Sequence, residues 1–194
     1  FWLVDPLDGT VEFIKGNNEF TVNIALMMNN ECIASALYVP YHQKMYVAAK
    51  GLGAYLIRDV EPKEDSSLNQ KEIEHLLERL PLESASHEEF RVAVSRSHQT
   101  PETHDRIDQI RQQHPDLKLI EQGSSYKFCL LAEGTIDYYV RTTNTYEWDT
   151  AAGELILAEA GGSTISYPEG RPLCYNKEDL KNPWFEARSA TCKL

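Results

Sequence analysis

Residues 20–28, FTVNIALMM, alternate between large apolar side chains and small or polar ones. In an extended backbone these side chains form two faces: Phe20, Val22, Ile24, Leu26 and Met28 on one, and Thr21, Asn23 and Ala25 on the other. A period of two residues is typical of a half-buried β-strand. Three more β-like runs follow, CIASALYV, KMYVAA and GAYLI, with short turn signals between them. Residues 1–60 therefore predict an antiparallel meander.

Beyond residue 90 the chain alternates strand-like and helix-like segments. The runs RVAVS, LKLIE, IDYYVR and STISY have the composition of strands, and helices are predicted for residues 101–114, 124–133 and 150–160. Such alternation favours an α/β fold in which helices and sheets pack in layers. We therefore predict a C-terminal α/β lobe over residues 91–194, preceded by an N-terminal α+β lobe to which residues 1–60 belong.

The segment between these parts, residues 60–89, is charged and interrupted by prolines. Apolar residues recur in it at helical spacing, at Ile73, Leu76, Leu77 and Leu80. This spacing is typical of an amphipathic helix. Residues 61–90 are therefore predicted to connect the two lobes and to carry one inserted helix.

The overall charge excludes one class of partner. A net charge of −11 argues against binding to a nucleic acid polymer, because tracking a phosphate backbone requires a basic face. A small phosphorylated ligand stays possible, since metal ions held by carboxylates reverse the local sign of the charge. No apolar run approaches the roughly 20 residues that span a bilayer, so no membrane span is expected.

The four cysteines, Cys32, Cys129, Cys174 and Cys192, lie far apart and form no C-x-x-C pair. This spacing favours reduced thiols over a disulfide framework or a zinc site. We expect a cytoplasmic protein that acts as a monomer.

The first ten residues, FWLVDPLDGT, place Asp5 and Asp8 directly behind an apolar run. The pattern predicts a strand, a turn and a helix, with Pro6 ending the strand and Gly9 permitting a tight turn. The amides of Gly9 and Thr10 could donate to an anion if a helix begins there. The alternative is purely structural, because Asp-Gly is a common turn pair.

A second acidic stretch, YEWDTAAGELILAEAGG, places Asp149 near the start of a predicted helix. One interpretation makes Asp149 an N-cap that accepts hydrogen bonds from free N–H groups. The other makes it a ligand-binding residue, since the small residues at 151–153 would let a ligand or another backbone approach closely.

Two other acidic motifs fit the opening stretch less well. An EF-hand loop with Gly9 at its sixth position would require acidic residues at Val4 and Pro6 and a glutamate at Lys15. A phosphatase of the haloacid dehalogenase type has its two aspartates two residues apart, whereas the pair here is three apart. That alternative would make Asp5 a nucleophile.

Together the two acidic stretches resemble the signatures of the inositol monophosphatase superfamily, D-P-[IL]-D-G-T and W-D-x-A-A-G. Both are complete, at residues 5–10 and 148–153. The resemblance runs over nearly the whole chain. It implies a layered α/β sandwich of the sugar phosphatase type and magnesium-dependent hydrolysis of a phosphate ester. It also implies that the chain lacks the N-terminal helices and first strands of that fold.

The resemblance implies a role for the acidic residues and their neighbours. Asp5 would bridge two Mg²⁺ ions, and the Leu7 carbonyl would bind one of them. Asp8 and Asp149 would bind another ion, and oxygen ligands of this kind suit Mg²⁺. Thr10 would orient a metal-bound water for in-line attack on phosphorus, with a carboxylate partner from an N-terminal segment. Without that segment, the chain alone is expected to turn over little substrate.

Two further stretches resemble the 3'(2'),5'-bisphosphate nucleotidase branch of the superfamily: VSRSH and GSSYKFC. A substrate with two phosphates needs cations for the second one, which Lys127 and Arg141 could supply. The amides and hydroxyls of residues 123–125, ahead of a helix, predict an anion nest. The predicted substrate-binding residues are Gly9, Thr10, Ser95, His98, Gly123, Ser124, Ser125, Lys127, Arg141 and Asp149.

The predicted reaction is hydrolysis of adenosine 3',5'-bisphosphate, or of its sulfated form, to AMP and phosphate. One alternative keeps the fold and changes the substrate to inositol monophosphate or a sugar bisphosphate. Lys127 would separate the bisphosphorylated nucleotide from a monoester such as inositol monophosphate, because only a substrate with two phosphates uses a second cationic site. Another alternative is a non-catalytic fragment that binds phosphate or metal and needs a complementing segment.

Overall fold

The computed structural model describes residues 1–62, 73–85 and 87–194. The N-terminal part of the described chain forms a six-stranded antiparallel sheet, which we call sheet A. Its strand order is β1-β2-β3-β4-β5-β6. Its strands are β1 (Trp2–Asp8), β2 (Thr21–Met28), β3 (Glu31–Val39), β4 (Lys44–Ala49), β5 (Gly53–Ile57) and β6 (Glu78–Arg79). Each strand pairs with the next one along the chain, so the sheet is a meander.

A second, five-stranded sheet, sheet B, is mixed and has the order β10-β11-β9-β7-β8. Its strands are β7 (Arg91–Ser95), β8 (Lys118–Gln122), β9 (Tyr138–Arg141), β10 (Ser163–Ser166) and β11 (Phe185–Arg188). Strand β7 pairs in parallel with β8 and β9, whereas β11 is antiparallel to both of its neighbours. The sequence patterns did not predict β11, which lies between β9 and β10.

Four α-helices lie entirely within the described residues: α1 (Thr10–Lys15), α2 (Pro101–Arg111), α3 (Tyr126–Glu133) and α4 (Glu147–Glu159). Helices α3 and α4 pack on each other; α4 also covers sheet A, and α3 contacts sheet B. Helix α2 shares a second apolar cluster with sheet B. These layers confirm the predicted layered α/β sandwich. In the part of the chain described, every helix is too short or too polar to cross a bilayer.

Strand β2 buries the face with the smaller and more polar side chains. Thr21, Asn23 and Ala25 are almost completely buried, whereas Ile24 is only half-buried and Met28 is 57% exposed. Helix α4 lies against sheet A, and short side chains on β2 let it approach closely. The more apolar face of β2, which includes Ile24 and Met28, is therefore not the face that packs in the core.

The predicted inserted helix falls partly on residues 63–72, which lie outside the described residues. Its expected continuation to Leu80 is wrong, because Glu78–Arg79 forms β6 against β5. Pro81 follows Leu80, and the residue before a proline disfavours helical geometry. Leu80 is buried instead, and its amide donates to the Ala54 carbonyl at 2.9 Å. The division of the chain into two lobes and a connection stays a prediction.

Candidate active site

The opening acidic stretch forms a strand, a turn and a helix, as predicted. Strand β1 runs to Asp8, however, so Pro6 does not end it. Pro6 is tolerated because β1 is an edge strand, where a missing N–H costs no ladder bond. The register shifts between Asp5 and Asp8, and such an irregularity can re-aim side chains. Both carboxylates can therefore serve one site.

Gly9 joins β1 to α1 with a φ of 84°, in the left-handed region that favours glycine. A Cβ there would also lie 3.1 Å from the Ser124 Cβ and 3.1 Å from the Glu19 carbonyl oxygen. The turn is thus tight in conformation and closely packed against a distant part of the chain.

Asp149 lies within the first turn of α4, which begins at Glu147 rather than at residue 150. It is therefore not the N-cap, and its Oδ2 accepts a hydrogen bond from the Tyr146 amide at 2.8 Å. The neighbouring Gly153 faces α3, because a Cβ there would lie 2.7 Å from the Phe128 Cβ. That small residue thus serves helix packing and not the approach of a ligand.

The three predicted acidic metal ligands converge. Asp5, Asp8 and Asp149 each offer one carboxylate oxygen, and these oxygens lie within 4.8 Å of one another. Burial, together with the charge of Asp8, raises the pKa of Asp149 to about 7. Burial also raises the pKa of Asp5, and Asp8 adds to that effect. A group of hard oxygen donors that repel one another fits a divalent cation such as Mg²⁺.

A cavity of about 230 Å³ adjoins this acidic group. The predicted residues that line it are Asp8, Gly9, Thr10, Ser95, His98, Ser124, Ser125, Lys127, Arg141 and Asp149. Gly123, Asp5 and Leu7 are not among its lining residues. The fold therefore gathers nearly all of the predicted substrate-binding residues around one space.

Two cationic side chains face this cavity. Lys127 is 2% exposed, and its Nζ donates to the carbonyl oxygens of Gln122 at 3.0 Å and Ser124 at 2.6 Å. Burial, and then the nearby Arg141, lowers the pKa of Lys127 to about 7. Among the described residues the buried Nε of Arg141 has no hydrogen-bond partner. Both residues line the cavity, so an anion there would lie beside two cationic side chains.

His98 completes the polar wall of the cavity. Burial, and then the charge of Arg141, lowers the pKa of its imidazole. A neutral imidazole can both donate and accept a hydrogen bond. His98 is therefore suited to a neutral polar group of a ligand rather than to a phosphate.

Some amides of the predicted anion nest, residues 123–125, already have hydrogen-bond acceptors and are not free to bind an anion. The Gly123 amide donates to Oε2 of Glu19 at 2.7 Å, and the Ser125 amide donates to Oδ2 of Asp8 at 2.5 Å. Carboxylates of the chain itself therefore occupy two of the donors that were assigned to a phosphate. The Ser125 hydroxyl is bonded to Asn23 and Thr21, so the Ser124 hydroxyl and the two cations are the groups left for an anion.

Sequence reasoning missed several polar residues of the site. Glu12 is 4% exposed, lines the cavity, and accepts a hydrogen bond from the Ser97 hydroxyl at 2.7 Å. Thr21 and Asn23 both contact the Ser125 hydroxyl, at 2.7 Å each. The available signal was the row of polar side chains along one face of β2, which a purely apolar core would not contain.

Known proteins resemble the chain over most of its length. The sequence profile described as "Inositol monophosphatase family" matches residues 1–188. The 3'(2'),5'-bisphosphate nucleotidase CysQ of Escherichia coli (strain K12) is 40% identical over 186 residues, which are 95% of this chain and 66% of that protein. The corresponding protein of Haemophilus influenzae is 30% identical over 187 residues, 95% of this chain and 62% of that protein. The chain thus spans about two thirds of the length of these relatives.

Solved structures show the same fold. The crystal structure of CysQ from Bacteroides thetaiotaomicron superposes with a TM-score of 0.91 at 45% identity, covering 98% of this chain and 70% of that one. Mycobacterium tuberculosis SuhB has a TM-score of 0.68 at 22% identity, covering 98% and 66%, and shows likeness of fold alone. Because the family profile matches nearly the whole length of this chain, the chain belongs to the inositol monophosphatase family.

Proposed function

We propose that this chain forms the catalytic site of a magnesium-dependent 3'(2'),5'-bisphosphate nucleotidase that converts adenosine 3',5'-bisphosphate to AMP and phosphate. One observation carries the proposal: three clustered carboxylates and two cationic side chains meet at the same cavity. Such a cavity matches a substrate with one phosphate on metal ions and a second phosphate on side chains. The CysQ relatives carry the name of this activity.

The acidic group is the place for the phosphate that is cleaved. Asp5, Asp8 and Asp149 would hold Mg²⁺, which supplies Lewis-acid stabilisation of the phosphoryl oxygens and a more acidic water. The carboxylates alone would repel a phosphate, so the cation requirement follows from the charge of the site. The Leu7 amide donates to Oδ1 of Asp5 at 3.0 Å, and the Leu7 carbonyl accepts a hydrogen bond from the Thr10 hydroxyl at 3.2 Å.

Thr10 would orient the attacking water. Because its hydroxyl donates its proton to the Leu7 carbonyl, its oxygen lone pairs are free to accept a hydrogen bond. Thr10 also lines the cavity, at the start of α1. A threonine is too weak a base to remove the proton alone, so its role is to hold the water in line.

Lys127 and Arg141 are the groups for the second phosphate. Both residues line the cavity. Hydrogen bonds to charged groups contribute more than neutral ones, about 1.5–3 kcal/mol each. Ser95 and His98 line the same cavity and would contact the nucleoside through neutral polar groups.

The test is a phosphate-release assay with adenosine 3',5'-bisphosphate and inositol 1-phosphate, in Mg²⁺ and in EDTA. We expect a higher kcat/KM for the nucleotide, and no release in EDTA. Titration calorimetry with the nucleotide and Mg²⁺ separates binding from turnover where turnover is low. A higher kcat/KM for inositol 1-phosphate, or release in EDTA at the same rate, would contradict the proposal.

A further inference from the structure

We propose that Glu19 is a positioning residue for substrate binding, which holds the turn over residues 122–125 in place against the cavity. The inference rests on the proposed function and adds a residue that never touches the substrate. The Glu19 side chain is 14% exposed and lies in the loop between α1 and β2. Its Oε2 accepts the Gly123 amide at 2.7 Å, so it reaches from sheet A to the turn that follows β8.

Arg96 fixes the orientation of the Glu19 carboxylate. Its Nε lies 3.0 Å from Oε2 of Glu19, and its Nη2 lies 2.8 Å from Oε1, so the pair is bidentate. Arg96 also donates to the main-chain oxygen of Glu121 at 3.1 Å and to its side chain at 3.0 Å. A bidentate arginine–carboxylate pair is geometrically specific, which leaves Glu19 little freedom to turn away.

The turn itself requires such support. Ser124 has a φ of 51°, in a left-handed region that non-glycine residues seldom adopt. Glu19 is also in contact range of Gly123, since a Cβ built there would lie 3.1 Å from the Glu19 Cβ. Lys127 binds the same turn through the carbonyl oxygens of Gln122 and Ser124.

Glu19 and Lys127 therefore both hold the turn, Glu19 through an amide and Lys127 through two carbonyls. If the Glu19 carboxylate is removed, the Gly123 amide loses its hydrogen-bond acceptor. Ser124 and Lys127 then shift from their positions beside the cavity. The Ser125 amide stays bound to Asp8, so the acidic group keeps its own support. The expected defect is in substrate binding and not in the chemical step.

The experiment compares Glu19→Ala, Glu19→Gln and Glu121→Gln with the wild-type chain. We expect Glu19→Ala to raise KM for adenosine 3',5'-bisphosphate by roughly tenfold with little change in kcat. Glu19→Gln keeps a carbonyl oxygen for the Gly123 amide and should recover most of the affinity. Glu121→Gln removes only the exposed partner of Arg96 and should behave like the wild type. An unchanged KM in Glu19→Ala, or a fall in kcat alone, overturns the proposal.

Hydrogen exchange of the Gly123 amide, followed by NMR, tests the same contact without any substrate. Exchange should be faster in Glu19→Ala than in the wild type and close to the wild-type rate in Glu19→Gln. Equal rates in all three chains overturn the proposal. A wild-type chain that neither binds nor hydrolyses the nucleotide sinks the proposed function, whereas the exchange rates still decide whether Glu19 holds the turn.

Discussion

The main-chain amide of Ser125 lies 2.5 Å from Oδ2 of Asp8 and donates a hydrogen bond to it. This bond joins the end of β1 in sheet A to the turn that precedes α3. The Ser125 hydroxyl extends the link, because it donates to Oδ1 of Asn23 at 2.7 Å. A residue from the second half of the chain thus fixes one carboxylate oxygen of Asp8. The geometry of the acidic group therefore depends on more than the opening motif.

Asp149→Asn should abolish magnesium-dependent phosphate release, because it removes one of three clustered carboxylates. The asparagine can still accept the hydrogen bond from the Tyr146 amide, so the start of α4 should persist. Mg²⁺ at about 100 times its Kd stabilises a one-site protein by about 2.7 kcal/mol. Thermal unfolding should show that stabilisation in the wild type and little of it in the variant.

Asp108→Asn is the matched control, since Asp108 is exposed on α2. It should keep both the magnesium-dependent shift in Tm and the activity. An Asp149→Asn chain with the wild-type magnesium shift would show that the ion binds elsewhere.

Lys127→Met should impair bisphosphorylated substrates far more than monoesters. The change removes a buried cation beside Arg141 and keeps a chain of similar length. We expect kcat/KM for adenosine 3',5'-bisphosphate to fall by roughly 10- to 100-fold, as for loss of one charged hydrogen bond. A steady-state comparison with inositol 1-phosphate measures the difference. Lys118→Met, whose side chain is 57% exposed, is the control; an equal loss on both substrates contradicts the assignment.

Lys127 should also make stability depend on pH in a definite direction. Burial lowers its pKa from 10.5 to about 7 in the folded chain, whereas the unfolded chain keeps a pKa near the ordinary value. Between these two values the unfolded state binds the extra proton, so this residue makes the free energy of unfolding rise with pH. The slope is at most about 1.4 kcal/mol per pH unit.

Urea unfolding of the wild type and of Lys127→Met at about pH 7 and about pH 9 measures this slope. The difference, wild type minus variant, should grow as the pH rises. A difference that is constant or shrinks over this range would mean that Lys127 keeps its proton in the fold.

Gly153→Ala should destabilise the chain, although alanine is favoured over glycine within a helix by about 1 kcal/mol. The added Cβ would lie 2.7 Å from the Phe128 Cβ, and overpacking of this kind costs about 1–3 kcal/mol. The gain in helix propensity cancels the cost of overpacking only if that cost is at its lower bound of about 1 kcal/mol. We therefore expect Gly153→Ala to lower the free energy of unfolding measured in urea.

A double variant tests the cause of that loss. Phe128→Ala makes room for the new methyl group, so Gly153→Ala should cost less in that background than in the wild type. Additive effects of the two substitutions would show that α3 and α4 do not meet at Gly153.

Local chemistry made part of the site predictable. Asp5 and Asp8 precede a glycine that the turn requires, and Asp149 lies ahead of small residues that permit helix packing. Each pattern acts over a few residues, so a sequence can display it. The extent of β1 was less predictable, because Pro6 is compatible with a strand interior only at a sheet edge or at an irregularity in the ladder, and both depend on how β1 pairs with β2.

Long-range contacts decided the rest. The pattern of β2 predicts a strand but cannot say which face is buried; α4 covers the face with Thr21 and Asn23. Likewise, residues 123–125 have the composition of an anion nest, yet Glu19 and Asp8 already occupy two of its amides. Hydrogen-bond partners and buried faces depend on segments far along the chain. The sequence alone determined the residue types and local turns of the site, whereas the packing of sheet A against the helices decided which groups stay free for a ligand.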